Sequence, residues 1–349
     1  MFLKKPFVLG GVTLPSNIFY APLAGCSDFA FRKMSAKFKP GLMFCEMVKM
    51  DALVRNDSGT FHILDYSKDM HPIGGQICGS KPEIAGQSAR IIEDLGFDTV
   101  DLNCGCPVDK VTKDGSGSGM LKNPNRIGDV IANMVAAVNI PVTVKIRAGW
   151  DENSINAAEI TKLAEKAGAK AICIHGRTRS QAYKGPANWD HIKACKESAK
   201  DILVIGNGDL FSAHDVKAMF EYTGCDAVLI ARGTMGSPWI AQDCYDLLEG
   251  RSVKERTFKD NFEVLVEHYE EMKKYHSDRR VLVDMRRVGC WFIKKSFGAR
   301  EFREILSHAK TLEEIETCLK QVRLKIEDPE YINSMQNALD TTEETCCVS

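Results

Sequence analysis

No apolar run in the 349-residue chain approaches the ~18 to 20 residues that a membrane span requires. The N-terminus, Met1-Phe2-Leu3-Lys4-Lys5-Pro6, lacks the long apolar core of a secretory signal. Both absences lead to the expectation of a cytoplasmic protein. A charge excess is missing too: 46 Lys and Arg against 47 Asp and Glu give a formal net charge of −1. That excludes a uniformly basic nucleic-acid coat, but not a local basic surface. None of the thirteen cysteines forms a C-x-x-C pair, so zinc ribbons and thioredoxin-type redox sites find no support. Cys45, Cys78, Cys173 and Cys225 lie in apolar runs and read as small buried hydrophobes. What remains, 44% hydrophobic and 27% charged, is the balance of a folded globular chain. At ~150 residues per domain its length suggests about two domains.

Eight short apolar runs recur at 18–21, 42–45, 73–78, 99–102, 142–146, 171–174, 202–205 and 227–230. Runs this apolar suit strands buried on both faces. Helical stretches follow them, such as 81–95 and 154–167, with Gly96 and Gly168 placed as stops. Eight strand-helix units in the first 250 residues predict an α/β fold, a (β/α)8 TIM barrel. A doubly wound sheet is the alternative.

Beyond residue 250 no strand-like run occurs, and 258–275, 279–297 and 312–326 read as amphipathic helices. The expected organisation is a barrel over 1–250, a small C-terminal helical domain over 251–326 and a disordered acidic tail over 327–349. Regional charge sharpens this division. The first 250 residues are neutral, 251–326 carry +5, and the tail carries −6. Pairs at Lys273-Lys274, Arg279-Arg280, Arg286-Arg287 and Lys294-Lys295 recur at near-helical spacing, which suits a polyanionic partner. The closing Cys346-Cys347-Val348-Ser349 has prenylation spacing but no basic residues upstream.

In such a barrel the loops at the carboxyl ends of the strands build the active site. Those ends carry Pro22, Glu46, Gln76, Asn103 with Cys106, Lys145 with Arg147, His175 with Arg177, Asn207 with Asp209, and Arg232. The last two ends are glycine-rich: Gly206-Asn207-Gly208-Asp209 and Ala231-Arg232-Gly233. Loops after strands 7 and 8 commonly bind phosphate in barrels, so a phosphate-bearing cofactor is expected there. The third glycine of a dinucleotide fingerprint is missing. Ser237-Pro238 reads as a helix start.

Lys145 in an apolar strand is costly to bury unless it faces a ligand or anion, as a Schiff base or against a cofactor that gains negative charge. Cys106, between Gly105 and Pro107, is aimed by backbone constraint. A thiol whose reference pKa is ~8.5 can act as a general acid. The glycine-rich stretch 114–119 reads as a flexible lid.

Taken in order, Ala21-Pro22-Leu23-Ala24-Gly25-x-Ser27-Asp28, Asp101-x-Asn103-x-Gly105-Cys106-Pro107, Val144-Lys145-Ile146-Arg147-x-Gly149-Trp150, His175-Gly176-Arg177-Thr178-Arg179, Asn207-Gly208-Asp209, and Ala231-Arg232-Gly233 with Pro238-Trp239 form one set. This set resembles the tRNA-dihydrouridine synthases, particularly the bacterial B-type branch. Arg286-Arg287 and Trp291-Phe292 are similar to that family's RNA-binding domain, with Val288 where relatives often have histidine. The resemblance implies FMN over the mouth against Pro22, Leu23, Ala24, Gln76, Lys145 and His175. It implies the phosphate against Asn207, Gly208, Asp209, Ala231, Arg232 and Gly233. It further implies reduction of FMN by NADPH (or NADH), hydride transfer from flavin N5 to C6 of a D-loop uridine in tRNA, and protonation of C5 by Cys106. Asn103 and Arg177 would hold the uracil edge, and Arg286 and Arg287 the tRNA. A monomer that binds no membrane is expected. The rivals are a flavin barrel reducing a small free pyrimidine, and a non-catalytic RNA-binding barrel.

Overall fold

Eight strands run parallel in the computed structural model, which describes residues 2–293 and 299–328. They are β1 (Ile18–Tyr20), β2 (Leu42–Phe44), β3 (Ile73–Cys78), β4 (Thr99–Cys104), β5 (Val142–Arg147), β6 (Ala171–His175), β7 (Leu203–Asn207) and β8 (Ala227–Ile230). Each pairs with its sequence neighbour, β8 pairs back to β1, and β2 joins β3 through Met43 opposite Ile73. The circle is closed, so the barrel expectation holds and the doubly wound alternative falls. Around it lie α1 (Phe29–Ala36), α2 (Met50–Val54), α3 (Pro82–Asp94), α4 (Pro124–Ala137), α5 (Ala157–Lys166), α6 (Asp190–Ser198), α7 (Ala213–Thr223) and α8 (Ile240–Leu248).

The apolar runs are explained by two burial environments. Val144, Ile146, Ile172 and Ile174 face outward and share a core with helix residues Ile92, Ile131 and Ile160. Phe19, Leu42, Ala171, Cys173, Ile205 and Leu229 belong instead to a separate apolar cluster. That cluster also takes in Phe7, Leu9 and Leu14 of an N-terminal hairpin, Phe7–Leu9 paired with Val12–Leu14. Each fully buried Leu, Ile or Phe contributes about 1.5–3 kcal/mol. Gly10 and Gly11, both at positive φ, turn this hairpin. The stops at Gly96 and Gly168 are as expected, each at positive φ immediately after its helix cap. The Ser237-Pro238 reading is corrected: α8 begins at Ile240, with Trp239 rather than serine as its cap residue.

The chain forms two compact units. One runs to Thr234 and includes Trp239–Val253; the other contains Met235–Pro238 and the chain from Lys254. The second unit is helical: α9 (Phe258–Tyr275), α10 (Asp278–Phe292), α11 (Ala299–His308) and α12 (Leu312–Glu327). Phe262, Leu265, Met272, Met285, Phe302, Leu306 and Ile315 are buried within it. The expected 279–297 helix ends at Phe292 among the described residues, and α11 was not expected. The Lys294-Lys295 pair and the Cys346-Cys347-Val348-Ser349 terminus lie outside the described residues, as does all but the start of the expected acidic tail. Among the described residues no helix is long and apolar enough to cross a membrane.

Candidate active site

The carboxyl ends of the strands set the expected residues in layers. Asn103, Lys145 and Cys173 stand side by side in register, and Arg147, His175 and Asn207 form the next layer outward. Gln76 stands opposite Asp101. Lys145 is half-buried, and desolvation holds its pKa below the usual lysine value. Burial, followed by the positive charges of Lys145, Arg147, Arg177 and Arg232, pushes the His175 pKa far below that of a free histidine. His175 is therefore neutral at pH 7. Neither the Lys145 ammonium nor the His175 ring has a hydrogen-bond partner among the described residues.

A chain of hydrogen bonds leads from the barrel interior to Cys106. Asp101 accepts from the Thr143 hydroxyl at 2.6 Å and from Gln76 Nε2 at 2.7 Å. An ionised carboxylate only accepts, so Gln76 must turn its Nε2 toward Asp101 and its Oε1 toward Asn103. Asn103 Nδ2 donates to that Oε1 at 2.8 Å. Asn103 Oδ1 is thereby left to accept from the amides of Gly105 (3.1 Å) and Cys106 (2.9 Å). Each link fixes the next, and the last fixes the cysteine loop. Burial raises the Asp101 pKa to about 6, while its bonds to Thr143 and Gln76 and the charge of Lys145 pull it down.

Asp101 was quoted in a motif but given no role from sequence. Its position inside β4, two residues before Asn103, was the signal that could have found it. Asp101→Asn keeps the shape but presents a donor to Gln76 or Thr143. We expect at least a tenfold fall in turnover with fold retained, read by steady-state rate beside circular dichroism. Wild-type turnover in Asp101→Asn would break the chain as an explanation.

Other contacts revise what the side chains do. The Asn103 carboxamide is engaged with Gln76 and the cysteine loop, and its Nδ2 also reaches Met47 Sδ at 3.5 Å. Arg177 pairs with Asp209 through both nitrogens (2.8 and 2.7 Å) and donates to the Gly185 carbonyl. These bonds use four of the five guanidinium N–H groups, and one Nη1–H is left for a ligand. Arg147 was noted at its strand end without a role. It donates to the carbonyls of Gly105 (2.8 Å), Thr178 (2.9 Å) and Ala182 (3.1 Å), tying the loops after β4 and β6 together. The lid reading of 114–119 is corrected. Ser116 and Ser118 are buried, and Ser118 donates through both its amide and its hydroxyl to the Cys106 carbonyl. This segment buttresses the cysteine.

The loops after β7 and β8 meet closely. A Cβ on Gly233 would lie 2.1 Å from the Leu210 carbonyl oxygen, and one on Gly208, at φ +122°, would lie 2.7 Å from Ala187 Cβ. Asn207 Nδ2 donates to the Leu229 carbonyl (2.6 Å), joining the two strand ends. Arg232 reaches Asp209 at 3.2 Å and remains partly exposed, as the following Gly233 and preceding Ala231 turn there. On the opposite side, Pro22, Leu23 and Ala24 form a turn held by the bond from the Leu23 amide to Ser27 Oγ (2.7 Å).

In the helical unit, Arg286 is half-buried and donates through Nε to the Ala309 carbonyl (2.8 Å). Arg287 is exposed, pairs with Asp284 and lies 5.2 Å from the Trp291 ring. Lys273 bridges Glu270 and Glu316, and Lys274 pairs with Glu271.

The electrostatics give one stability prediction. Because the folded-state pKa of His175 is depressed, the unfolded chain takes up a proton below about 6.5 that the folded chain refuses. Stability is therefore lost as pH falls from about 6.5 toward the folded value. Asp101 acts oppositely, since its folded form protonates first, near 6. Thermal melts from pH 8 to 5 should show a smaller acid loss in His175→Gln than in the wild type; equal losses would contradict this.

Comparison with known proteins gives the chain a family. The family model described as dihydrouridine synthase matches residues 19–327. The chain is 34% identical over 287 residues to tRNA-dihydrouridine synthase B of Pasteurella multocida, covering 82% of this chain and 86% of that one. It is 34% identical over 317 residues to the protein of the same name from Pseudomonas syringae pv. tomato, covering 90% and 93%. Against a probable tRNA-dihydrouridine synthase of Treponema pallidum it is 38% identical over 255 residues, covering 70% and 75%. Among solved structures, histamine dehydrogenase from Rhizobium sp. 4-9 shares the fold at a TM-score of 0.54 and 14% identity. That match covers 77% of this chain and 51% of the other, so the chain spans about half its length. The chain belongs to the dihydrouridine synthase family and is an oxidoreductase.

Proposed function

We propose that this protein reduces a uridine in the D-loop of tRNA to 5,6-dihydrouridine, with FMN as cofactor and NADPH as reductant. The observation that carries the reading is the meeting of a half-buried Lys145, without a hydrogen-bond partner among the described residues, and a backbone-fixed Cys106 at one barrel mouth. The residues fit a flavin. An ammonium and a neutral imidazole stand without protein partners, and Arg232 offers a guanidinium beside close-packed glycine turns. Pro22, Leu23, Ala24 and Gln76 would hold the ring system with Lys145 and His175. Asn207, Gly208, Asp209, Ala231, Arg232 and Gly233 would surround its phosphate.

When bound, the cofactor supplies the hydride for uridine C6 that NADPH has delivered to it. Cys106 donates its proton to C5 as that hydride arrives, and the thiolate recovers a proton from water. Lys145 would hold the flavin ring, and the negative charge that a flavin takes up on reduction would offset the desolvation of the ammonium. Asn103 orients the Cys106 loop. The basic helical unit, including Arg286 and Arg287, contributes to the grip on the RNA backbone, and Asn103 and Arg177 to the grip on the uracil edge. The expected setting is cytoplasmic, with the protein acting as a monomer.

The test is incubation of purified, flavin-loaded protein with NADPH and an unmodified tRNA transcript, followed by nucleoside mass spectrometry. Dihydrouridine in the D-loop is the expected product. Faster reduction of free uracil or orotate than of tRNA would overturn the assignment.

A further inference from the structure

Tyr183 is 58% exposed, although it belongs to a loop whose neighbours are tightly held. Ala182 adopts φ +50°, a left-handed conformation that costs a non-glycine residue energy, and its carbonyl accepts from Arg147. The Thr178 amide donates to Gln181 Oε1 (2.7 Å), the Gln181 amide to Thr178 Oγ1 (3.2 Å), and the Lys184 amide to the Gln181 carbonyl (2.8 Å). Arg177 holds Gly185 on the far side. The loop therefore presents a large ring to solvent on a fixed backbone, with little ordering entropy left to lose on binding.

The ring reaches between two strand ends. It lies 6.0 Å from the guanidinium carbon of Arg147, on β5, and 4.7 Å from that of Arg232, beyond β8. Arg147 also holds the carbonyl of Gly105, next to Cys106, so Tyr183 stands beside the reacting thiol's loop. Similar pairings recur around the same mouth. Trp150, which follows β5, has Lys122 Nζ 3.7 Å and the Arg179 guanidinium 4.6 Å from its ring. Phe211, 47% exposed, lies 5.2 Å from Arg232. The acidic neighbours are Asp109, paired with Arg179, and Asp209, paired with Arg177 and Arg232.

Aromatic faces interleaved with arginine and lysine are the chemistry that recognises splayed, single-stranded nucleotides. The rings stack on bases and the cations meet phosphates. A uridine turned out of its loop leaves its flanking bases unstacked at the mouth. We propose that Tyr183, backed by Arg147 and Arg232, and Trp150, with Lys122 and Arg179, form a stacking rim on the catalytic barrel that receives the nucleotides flanking the reduced uridine. This inference rests on the reading that the mouth acts on tRNA, and it places part of the RNA grip on the barrel itself.

The experiment is equilibrium binding of an unmodified tRNA transcript to flavin-loaded wild type and to Tyr183→Ala, Tyr183→Leu, Tyr183→Phe and Trp150→Ala. Stacking of one base is worth about 1–3 kcal/mol, so loss of a ring should weaken binding about fivefold or more. Alanine or leucine at 183 and alanine at 150 should do so, and KM for tRNA should rise in parallel. Phenylalanine at 183 should bind within about twofold of wild type, because its π face is kept. Leucine still covers Arg147, so wild-type affinity in Tyr183→Leu would overturn the proposal and leave the ring as a shield. Loss of flavin or a changed KM for NADPH, with tRNA affinity intact, would overturn it in favour of a cofactor contact. A wild type that neither binds nor reduces tRNA would bring down the broader reading, and this rim with it.

Discussion

Cys106→Ala is expected to bind flavin and to be reduced by NADPH at the wild-type rate, while uridine reduction falls about 10²- to 10⁴-fold, the usual contribution of a positioned general acid. The expectation comes from how the loop is held. The Asn103 carbonyl oxygen caps the amides of Gly105 and Cys106, Ser118 holds the Cys106 carbonyl, and Arg147 holds that of Gly105. All these bonds are made to the backbone at 105–106, so removing the thiol leaves the loop in place. Cys106 is also partly exposed, unlike Cys45, Cys78, Cys104 and Cys173, which are buried. Burial raises the thiol pKa of Cys78 and Cys173 to about 12, which suits packing rather than proton transfer at neutral pH. Cys78→Ala should therefore cost stability and not chemistry. Separate stopped-flow traces for the NADPH and tRNA half-reactions distinguish the two effects. Slowing of both in Cys106→Ala would mean that the cysteine is structural.

Lys145→Met is expected to raise the stability of the cofactor-free protein while crippling the enzyme. A half-buried ammonium without a partner is a net cost, and its lowered pKa expresses that cost. The folded chain binds fewer protons at this site than the unfolded chain between the depressed value and the usual ~10.4. Stability should therefore rise with pH across that window in the wild type, a slope absent from the variant. Replacing buried charge by an apolar side chain of similar length is neutral to stabilising by about 1–4 kcal/mol. In a chain of this size that raises Tm by about several degrees. On the proposed reading the same substitution removes a positive charge from beside the flavin, so flavin reduction by NADPH should slow by at least tenfold. Calorimetry of the apo-protein and anaerobic reduction kinetics read the two arms. A lower apo Tm with unimpaired reduction would show that Lys145 stabilises the barrel.

The barrel was legible because strands buried on both faces leave unmistakable apolar runs, and because polar residues gather at one end of every run. Gln76, Lys145, His175 and Asn207 could be placed by that logic alone. The direction in which a polar side chain spends its hydrogen bonds was not legible. Asn103 and Arg177 read as ligand contacts from their positions, and the fold adds bonds from one to the cysteine loop and from the other to Asp209 and Gly185. Those partners lie on other strands and loops, and linear spacing carries no trace of them. Arg286 similarly reads as surface charge until the fold sets the Ala309 carbonyl beside it.

The N-terminal hairpin does carry a signal, a Gly-Gly turn between alternating apolar residues, but its strands are three residues each and too short to stand out as buried runs. The short α11 buries Phe302 and Leu306 amid charged neighbours, too narrow a stripe to stand out from one sequence. Glycines 115, 117 and 119 suggested mobility by composition. Their segment is instead fastened by its serines, Ser116 and Ser118.

The central claim is that this barrel mouth passes reducing equivalents to a uridine in folded tRNA. Single-turnover reoxidation tests it most directly: flavin-loaded protein is reduced anaerobically, freed of NADPH and mixed with unmodified tRNA, free uracil or orotate. Rapid return of the oxidised flavin spectrum with tRNA, yielding about one D-loop dihydrouridine per flavin, and no comparable change with the free pyrimidines, is the predicted result. Reoxidation by a free pyrimidine but not by tRNA would contradict it.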